Sequence, residues 1–340
     1  MLRRFAPLLL CISAALPALA QTTRPDILTR SELAEKSAEA INRGVKFLLS
    51  QQNTDGSWSG DRTSDREGGR TALITLALLS SGESYQSPPL EKAIKFLKTA
   101  QPQKALHATY SVALRACVFA ELPDPLHNAE LRSDLRWLED TLHTQGETRG
   151  MYSYGRFFNY GGDFSNSQYG VLGVWYAAQV GLEVPRSYWK QVENAWHEGQ
   201  NPDGGWGYRP ADGHSYASMT AAAAATLYIT NDYLTSRESA DLNRLVINKP
   251  LDDAMKWLGE NFAVDVNAGR DTELGQPHAV DNGVLNAFGQ LGRVGGFYVN
   301  YMLFGFERVG EASGLTRFGT HKWFDEGADY LIRTQAVDGS

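Results

Sequence analysis

Cysteine is nearly missing. The 340-residue chain has two, Cys11 and Cys117, and Cys11 falls in an N-terminal stretch with the marks of a removable leader. A chain left with Cys117 alone forms no internal disulfide, so packing has to hold it together. Basic excess is missing too: the net charge is −7, which gives no support to nucleic-acid binding or a polybasic membrane contact. Alternating apolar and polar runs are scarce, so a sheet architecture is not indicated. The short catalytic signatures are also lacking. Gly289, Gly292, Gly295 and Gly296 do not make Gly-x-Gly-x-x-Gly, there is no Ser-centred nucleophile elbow, and Asn201 breaks any metal-binding reading of His197-Glu198.

The first residues, MLRRFAPLLLCISAALPALAQ, place two arginines before an apolar stretch from Phe5 to Leu16 and then Ala18-Leu19-Ala20. That order predicts a signal peptide over residues 1–20, cleaved near Ala20, and an exported protein, periplasmic or secreted, with no transmembrane segment in the mature chain. Residues 21–33 read as a linker, and 34–340 as one domain.

Two kinds of segment alternate through that domain. AINRGVKFLLSQQNTDGSW, LEKAIKFLKTAQ, DLRWLEDTLHTQGE, WKQVENAWHEGQNPDGGW, LDDAMKWLGENF and FDEGADYLIRTQAVDGS carry apolar residues on one helical face, as at Ile41, Val45, Leu48 and Leu49. Between them lie RTALITLALLSSG, HATYSVALRACVFAEL, NSQYGVLGVWYAAQVG, SYASMTAAAAATLYIT and GGFYVNYMLFGFERVG, apolar nearly all round and rich in Ala and Gly. Small residues such as Ala221 to Ala225, Gly170 and Gly173 suit close helix approach. Gln52, Gln101, Gln145, Gln200, Asn261 and Gln335 mark equivalent positions, 49, 44, 55, 61 and 74 residues apart. That period fits a helix pair with its loops. The alternation predicts an all-α protein, an α/α toroid of about six outer and inner helix pairs with the last pair incomplete.

A phrase recurs at the helix ends. Gln52, Asp55, Gly56 and Trp58 are matched by Gln200, Asp203, Gly204 and Trp206, and a third copy, Gln335, Asp338 and Gly339, stops before its tryptophan. The glutamine is expected to serve the last carbonyls of an outer helix, which lack intrahelical partners. Asp-Gly supplies a turn, and the tryptophan seals the junction with an indole N–H that needs an acceptor. These residues are read as structural.

The phrases and the alternation resemble the prenyltransferase and squalene-oxidase ("QW") repeat of terpenoid cyclases and protein prenyltransferases, over roughly Ala34 to Ser340. The segment from Tyr298 to Ser340 is similar to exported bacterial members of that superfamily. Some of these continue into a further domain, and an end inside a motif suggests that this chain does too. The resemblance implies a toroid and raises two chemistries. Squalene-type cyclases protonate an alkene with a D-x-D-D acid motif, which does not occur here. Asp252-Asp253 read as first-turn residues of an outer helix, Asp265-x-Asn267 is incomplete, and Asp163 stands without a partner. Protein prenyltransferases hold zinc through Asp, Cys and His. Cys117 reads as a small buried hydrophobe, while His278, Asp281 and His321 have no ligand spacing, so neither metal nor cofactor is expected.

The link Gly150–Gly170 stands out, with Tyr152, Tyr154, Phe157, Phe158, Tyr160, Asp163 and Tyr169 in a glycine-rich stretch between an outer and an inner helix. Such links line one mouth of a toroid, where aromatic faces hold an isoprenoid or a sugar, or else plug the cavity. The reading drawn is a non-catalytic binding or scaffolding module for an apolar or carbohydrate ligand, with a narrow apolar cavity and no converging carboxylates. The alternatives are a terpenoid cyclase or prenyltransferase-like enzyme with a divergent site, or a toroid polysaccharide lyase or hydrolase using Tyr154, Arg156, Asn159 and His214.

Overall fold

The computed structural model describes residues 29–58, 67–156, 161–210, 212–235, 248–269 and 298–340. Eleven α-helices lie among them. Six are amphipathic: α1 (Arg30–Ser50), α3 (Pro88–Thr99), α5 (Ala129–Thr141), α7 (Arg186–Glu198), α9 (Lys249–Glu260) and α11 (Trp323–Thr334). The five between them are α2 (Gly69–Ser80), α4 (Ala108–Glu121), α6 (Phe164–Gln179), α8 (Ala217–Thr235) and α10 (Val299–Ser313). The burial patterns separate the two sets. Helix α3 buries only Leu90, Ala93 and Leu97, whereas α4 buries every residue from Ala108 to Ala120 except Tyr110. Among the described residues there is no strand, only isolated bridges Tyr152–Asp163 and Phe318–His321.

The second set packs in series, α2 on α4, α4 on α6, α6 on α8 and α8 on α10, while α3 lies against α2, α5 against α4 and α6, α7 and α9 against α8, and α11 against α10. The last outer helix, α11, packs on the first, α1, and closes the ring. The protein is an all-α, α/α toroid. Helix α1 starts at Arg30, inside the stretch read as linker, because Thr29 and Glu32 form a reciprocal capping box. Close packing of the inner ring rests on missing side chains. A Cβ on Gly173 would lie 2.8 Å from the Ala113 Cα, and one on Gly305 3.0 Å from the Ala221 Cβ. Gly170 instead makes room for the Tyr152 ring.

The recurrent phrase has one geometry at all three sites. The glutamine amide does not serve the end of its own helix, as the sequence suggested. Gln52 Nε2 donates to Gly56 O (3.0 Å) and, across the junction, to Pro89 O of α3 (2.8 Å). Gln200 Nε2 donates to Gly204 O and to Pro250 O of α9, both at 2.9 Å. Gln335 Nε2 donates to Gly339 O (3.0 Å) and to Ala40 O of α1 (2.9 Å), which staples the closing pair of the ring. Each glutamine therefore ties one outer helix to the next. The glycine must be glycine: φ is +91° at Gly56, +90° at Gly204 and +94° at Gly339.

The carbonyl four residues before the marker takes a side-chain donor instead. Leu48 O accepts the Trp58 indole N–H at 2.6 Å, and Trp196 O that of Trp206 at 2.9 Å. Where the phrase is degenerate the partner changes. Leu97 O accepts Arg115 Nη1 at 3.2 Å, and Trp257 O accepts Asn261 Nδ2 at 2.9 Å, the one marker amide that serves its own helix among these. The donor differs from junction to junction and is the side chain that the fold brings near.

Candidate functional site

Helices α4, α6 and α10 begin at the same end of the ring, because residues early in each meet one another. Tyr110, third in α4, hydrogen-bonds Ser165, second in α6 (2.6 Å between oxygens), and Ser165 bonds Tyr301, third in α10 (2.7 Å). Gln168 Nε2 donates to the Tyr301 hydroxyl, and Gln168 Oε1 accepts Arg308 Nη1 at 2.7 Å. One polar chain, Tyr110–Ser165–Tyr301–Gln168–Arg308, thus crosses the centre of the ring. Tyr169 fills the same space, its ring 4.9 Å from Tyr110, 6.2 Å from Tyr301 and 6.4 Å from Phe304. Tyr301 and Arg308 are surrounded by protein yet keep part of their surface accessible, as side chains facing an interior space do. Burial pushes the phenols of Tyr110, Tyr169 and Tyr301 above their ordinary value, so they remain neutral hydroxyls.

The Gly150–Gly170 residues divide among three roles. Tyr152 is fully buried core, its hydroxyl 2.9 Å from that of Tyr188 and its ring against Gly170. Tyr154 lies at the mouth, hydroxyl to hydroxyl with Tyr208 (2.8 Å) and edge-on to His107 (5.3 Å). Tyr169 faces the hub. Phe157, Phe158 and Tyr160 lie outside the described residues, as do Asn159, His278 and Asp281. Asp163 is the N-cap of α6, accepting the Asn166 N–H and the Asn166 amide, each at 2.8 Å. Burial pushes its carboxyl up, and the donors from Asn166 and Tyr208 oppose the rise. All of its partners address an accepting carboxylate, which leaves it poorly suited as a free acid.

The other polar candidates are spent elsewhere. Arg156 pairs at the surface with Asp140 (3.1 Å), so it does not join Tyr154 in a carbohydrate site. Asp252 sits in the first turn of α9, and Asp253 pairs with Lys249. Burial pushes the Cys117 thiol well up, away from the thiolate a metal needs. His321 meets Glu326 (3.1 Å) and stacks on Phe262 (4.8 Å). Among the described residues no group of three His, Cys, Asp or Glu is arranged to hold a metal.

The sequence reading missed most of the hub: Tyr110, Ser165, Gln168, Tyr301, Phe304 and Arg308. It also expected an apolar interior, and the interior carries hydroxyls and a guanidinium. One signal was present. Tyr301, Phe304 and Arg308 stand at i, i+3 and i+7 in α10, which puts them on one face. An arginine on the face shared with two aromatic rings needs a reason.

This architecture, a double ring of helices around a lined hub, is that of the terpene cyclase toroids. Three solved structures that share it are of the type II terpene cyclase MstE from Scytonema. An arginine-to-alanine variant in complex with its substrate geranylgeranyl dihydroxybenzoate aligns with TM-score 0.53 and 13% identity, over 91% of this chain and 81% of that one. A tyrosine-to-phenylalanine variant without ligand gives 0.53 and 14%, over 92% and 82%, and the apo protein 0.50 and 14%, over 90% and 82%. No protein-family model matches the chain. What is shared at this identity is the fold.

Proposed function

We propose that this protein is an exported, non-catalytic binding module on a terpene-cyclase-like toroid, with the hub holding an apolar, isoprenoid-like ligand. The observation that carries the reading is the composition of the hub. Aromatic rings and neutral hydroxyls surround it, and the buried carboxylate at the start of α6, Asp163, is engaged as a helix cap. Protonating an alkene requires a strong acid with its proton free and aimed inward, and neither the sequence pattern nor Asp163 offers one. The fold match supports the ligand class: MstE takes geranylgeranyl dihydroxybenzoate, a prenylated molecule, as substrate. Stacked rings such as Tyr169 and Phe304 suit the double bonds and methyl branches of such chains. The leader MLRRFAPLLLCISAALPALA supports export.

The test is incubation of the purified protein with squalene, farnesyl diphosphate and farnesol, followed by product analysis and calorimetry. Saturable binding with no cyclised or hydrolysed product is expected. Turnover would replace the reading with a catalytic one, and absence of any binding would remove it. Export is checked by the N-terminal sequence of protein recovered from the cell envelope or medium, expected to begin at Gln21.

A further inference from the structure

Arg308 is the unexplained residue of the hub. It lies on α10 facing inward, enclosed by protein, with Nη1 held by Gln168 Oε1 at 2.7 Å and its guanidinium 5.9 Å from the Phe304 ring centroid. Nη2 is buried and has no hydrogen-bond partner. Among the described residues no carboxylate forms an ion pair with it. The groups that act on it electrostatically include Tyr169, Tyr301, Cys117 and Tyr176, which burial keeps neutral, and Glu307, its neighbour in the chain, whose carboxyl it draws down against the effect of burial. An enclosed guanidinium with a buried, unpaired donor edge is costly.

We propose that Arg308 anchors an anionic head group: its Nη2 edge takes the carboxylate of an apolar monocarboxylic acid whose chain lies among Tyr110, Tyr169, Tyr301 and Phe304. The proposal rests on the apolar-ligand reading of the hub for its tail and on Arg308 alone for its head. Charge selects a monoanion. One guanidinium with one free edge balances one negative charge, and each further charge would be buried without a partner. Glu307 and Glu311 stand one and three residues away on the same helix, and their mutual influence raises the Glu307 carboxyl after burial does. Both are exposed, so neither offers a partner inside the hub.

The experiment is calorimetric titration of the full chain with farnesoic acid, farnesol and farnesyl diphosphate, which share one tail, and with benzoate, which has none. Farnesoic acid is expected to bind the wild-type protein about 10-fold or more tighter than farnesol, the range of a hydrogen bond to a charged group. In Arg308→Met the acid loses that advantage and farnesol is unchanged. Equal binding of acid and alcohol overturns the anchor and leaves the apolar hub standing. Tightest binding of the diphosphate, or an acid preference that survives in Arg308→Met, also overturns it. Benzoate binding that depends on Arg308, with no binding of any farnesyl compound, keeps the anchor and removes the isoprenoid reading. Absence of binding by all four removes both. The comparison of head groups in the wild-type chain needs no variant, so poor folding of Arg308→Met does not shelter the proposal.

Discussion

Arg115 and Arg308 both lie on inner helices, and they are opposites. Arg115 of α4 points toward the outer ring. Its Nε and Nη2 grip Asp134 of α5 at 2.8 and 2.6 Å, and its Nη1 reaches Leu97 O and Ala100 O at the end of α3. Both side chains are buried, and Gln103 adds a further donor to Asp134 (3.2 Å). Arg308 of α10 points toward the hub, has one neutral acceptor, and leaves Nη2 with nothing. The first arginine replaces a tryptophan corner that α3 lacks. The second closes no junction and caps no helix. A buried charge whose every donor is used belongs to the architecture, and one with an open edge points to something that comes and goes.

The largest expected effect comes from breaking the satisfied site. Asp134→Ala or Arg115→Met strands a buried charge and is expected to cost about 3–5 kcal/mol in urea unfolding. Next, Trp206→Phe keeps the ring but leaves Trp196 O without its donor, a loss of about 1–3 kcal/mol by the same measurement. Arg308→Met is expected to go the other way and stabilise the ligand-free protein, on the order of 1 kcal/mol, since it removes a charge that nothing pairs. A loss as large as that of Arg115→Met would erase the contrast between the two arginines. The smallest effect is a pH dependence. Burial raises the Asp203 carboxyl, but the Ser215 hydroxyl, Gly205 N–H and Trp257 indole outweigh it and leave the group below its ordinary 3.8. A depressed carboxylate stabilises the fold above about pH 4 and withdraws that contribution as pH falls through its folded value. The stability gap between wild type and Asp203→Asn is therefore expected to stay flat near neutrality and shrink in acid, read from urea midpoints at pH 7 down to pH 3.

The contrast also explains what was legible in the sequence. The ring was, because it is written in periodic signals: one-sided apolar faces in Leu90, Ala93 and Leu97, all-round burial from Ala217 to Thr226, and Asp-Gly turns where φ is positive. The partners of those signals were not. Gln335 reaches Ala40, 295 residues away, and a helix-end carbonyl is served by Trp58, Arg115 or Asn261, whichever the fold brings near. The hub was least legible. Tyr110, Ser165, Gln168 and Tyr301 come from three helices, and no spacing rule in one segment says that they will meet. The conspicuous cluster of rings at Gly150–Gly170 drew attention for its density, yet Tyr152 there is core and Asp163 a cap. Aromatic density marks packing as readily as binding.

The most direct measurement is a crystal structure of the protein grown with farnesoic acid. The account predicts its carboxylate within about 2.7–2.9 Å of Arg308 Nη2, the separation of a charge-assisted bond, with the chain against Tyr169 and Phe304. A carboxylate from the protein itself on Nη2, or the acid bound away from the hub, would contradict it.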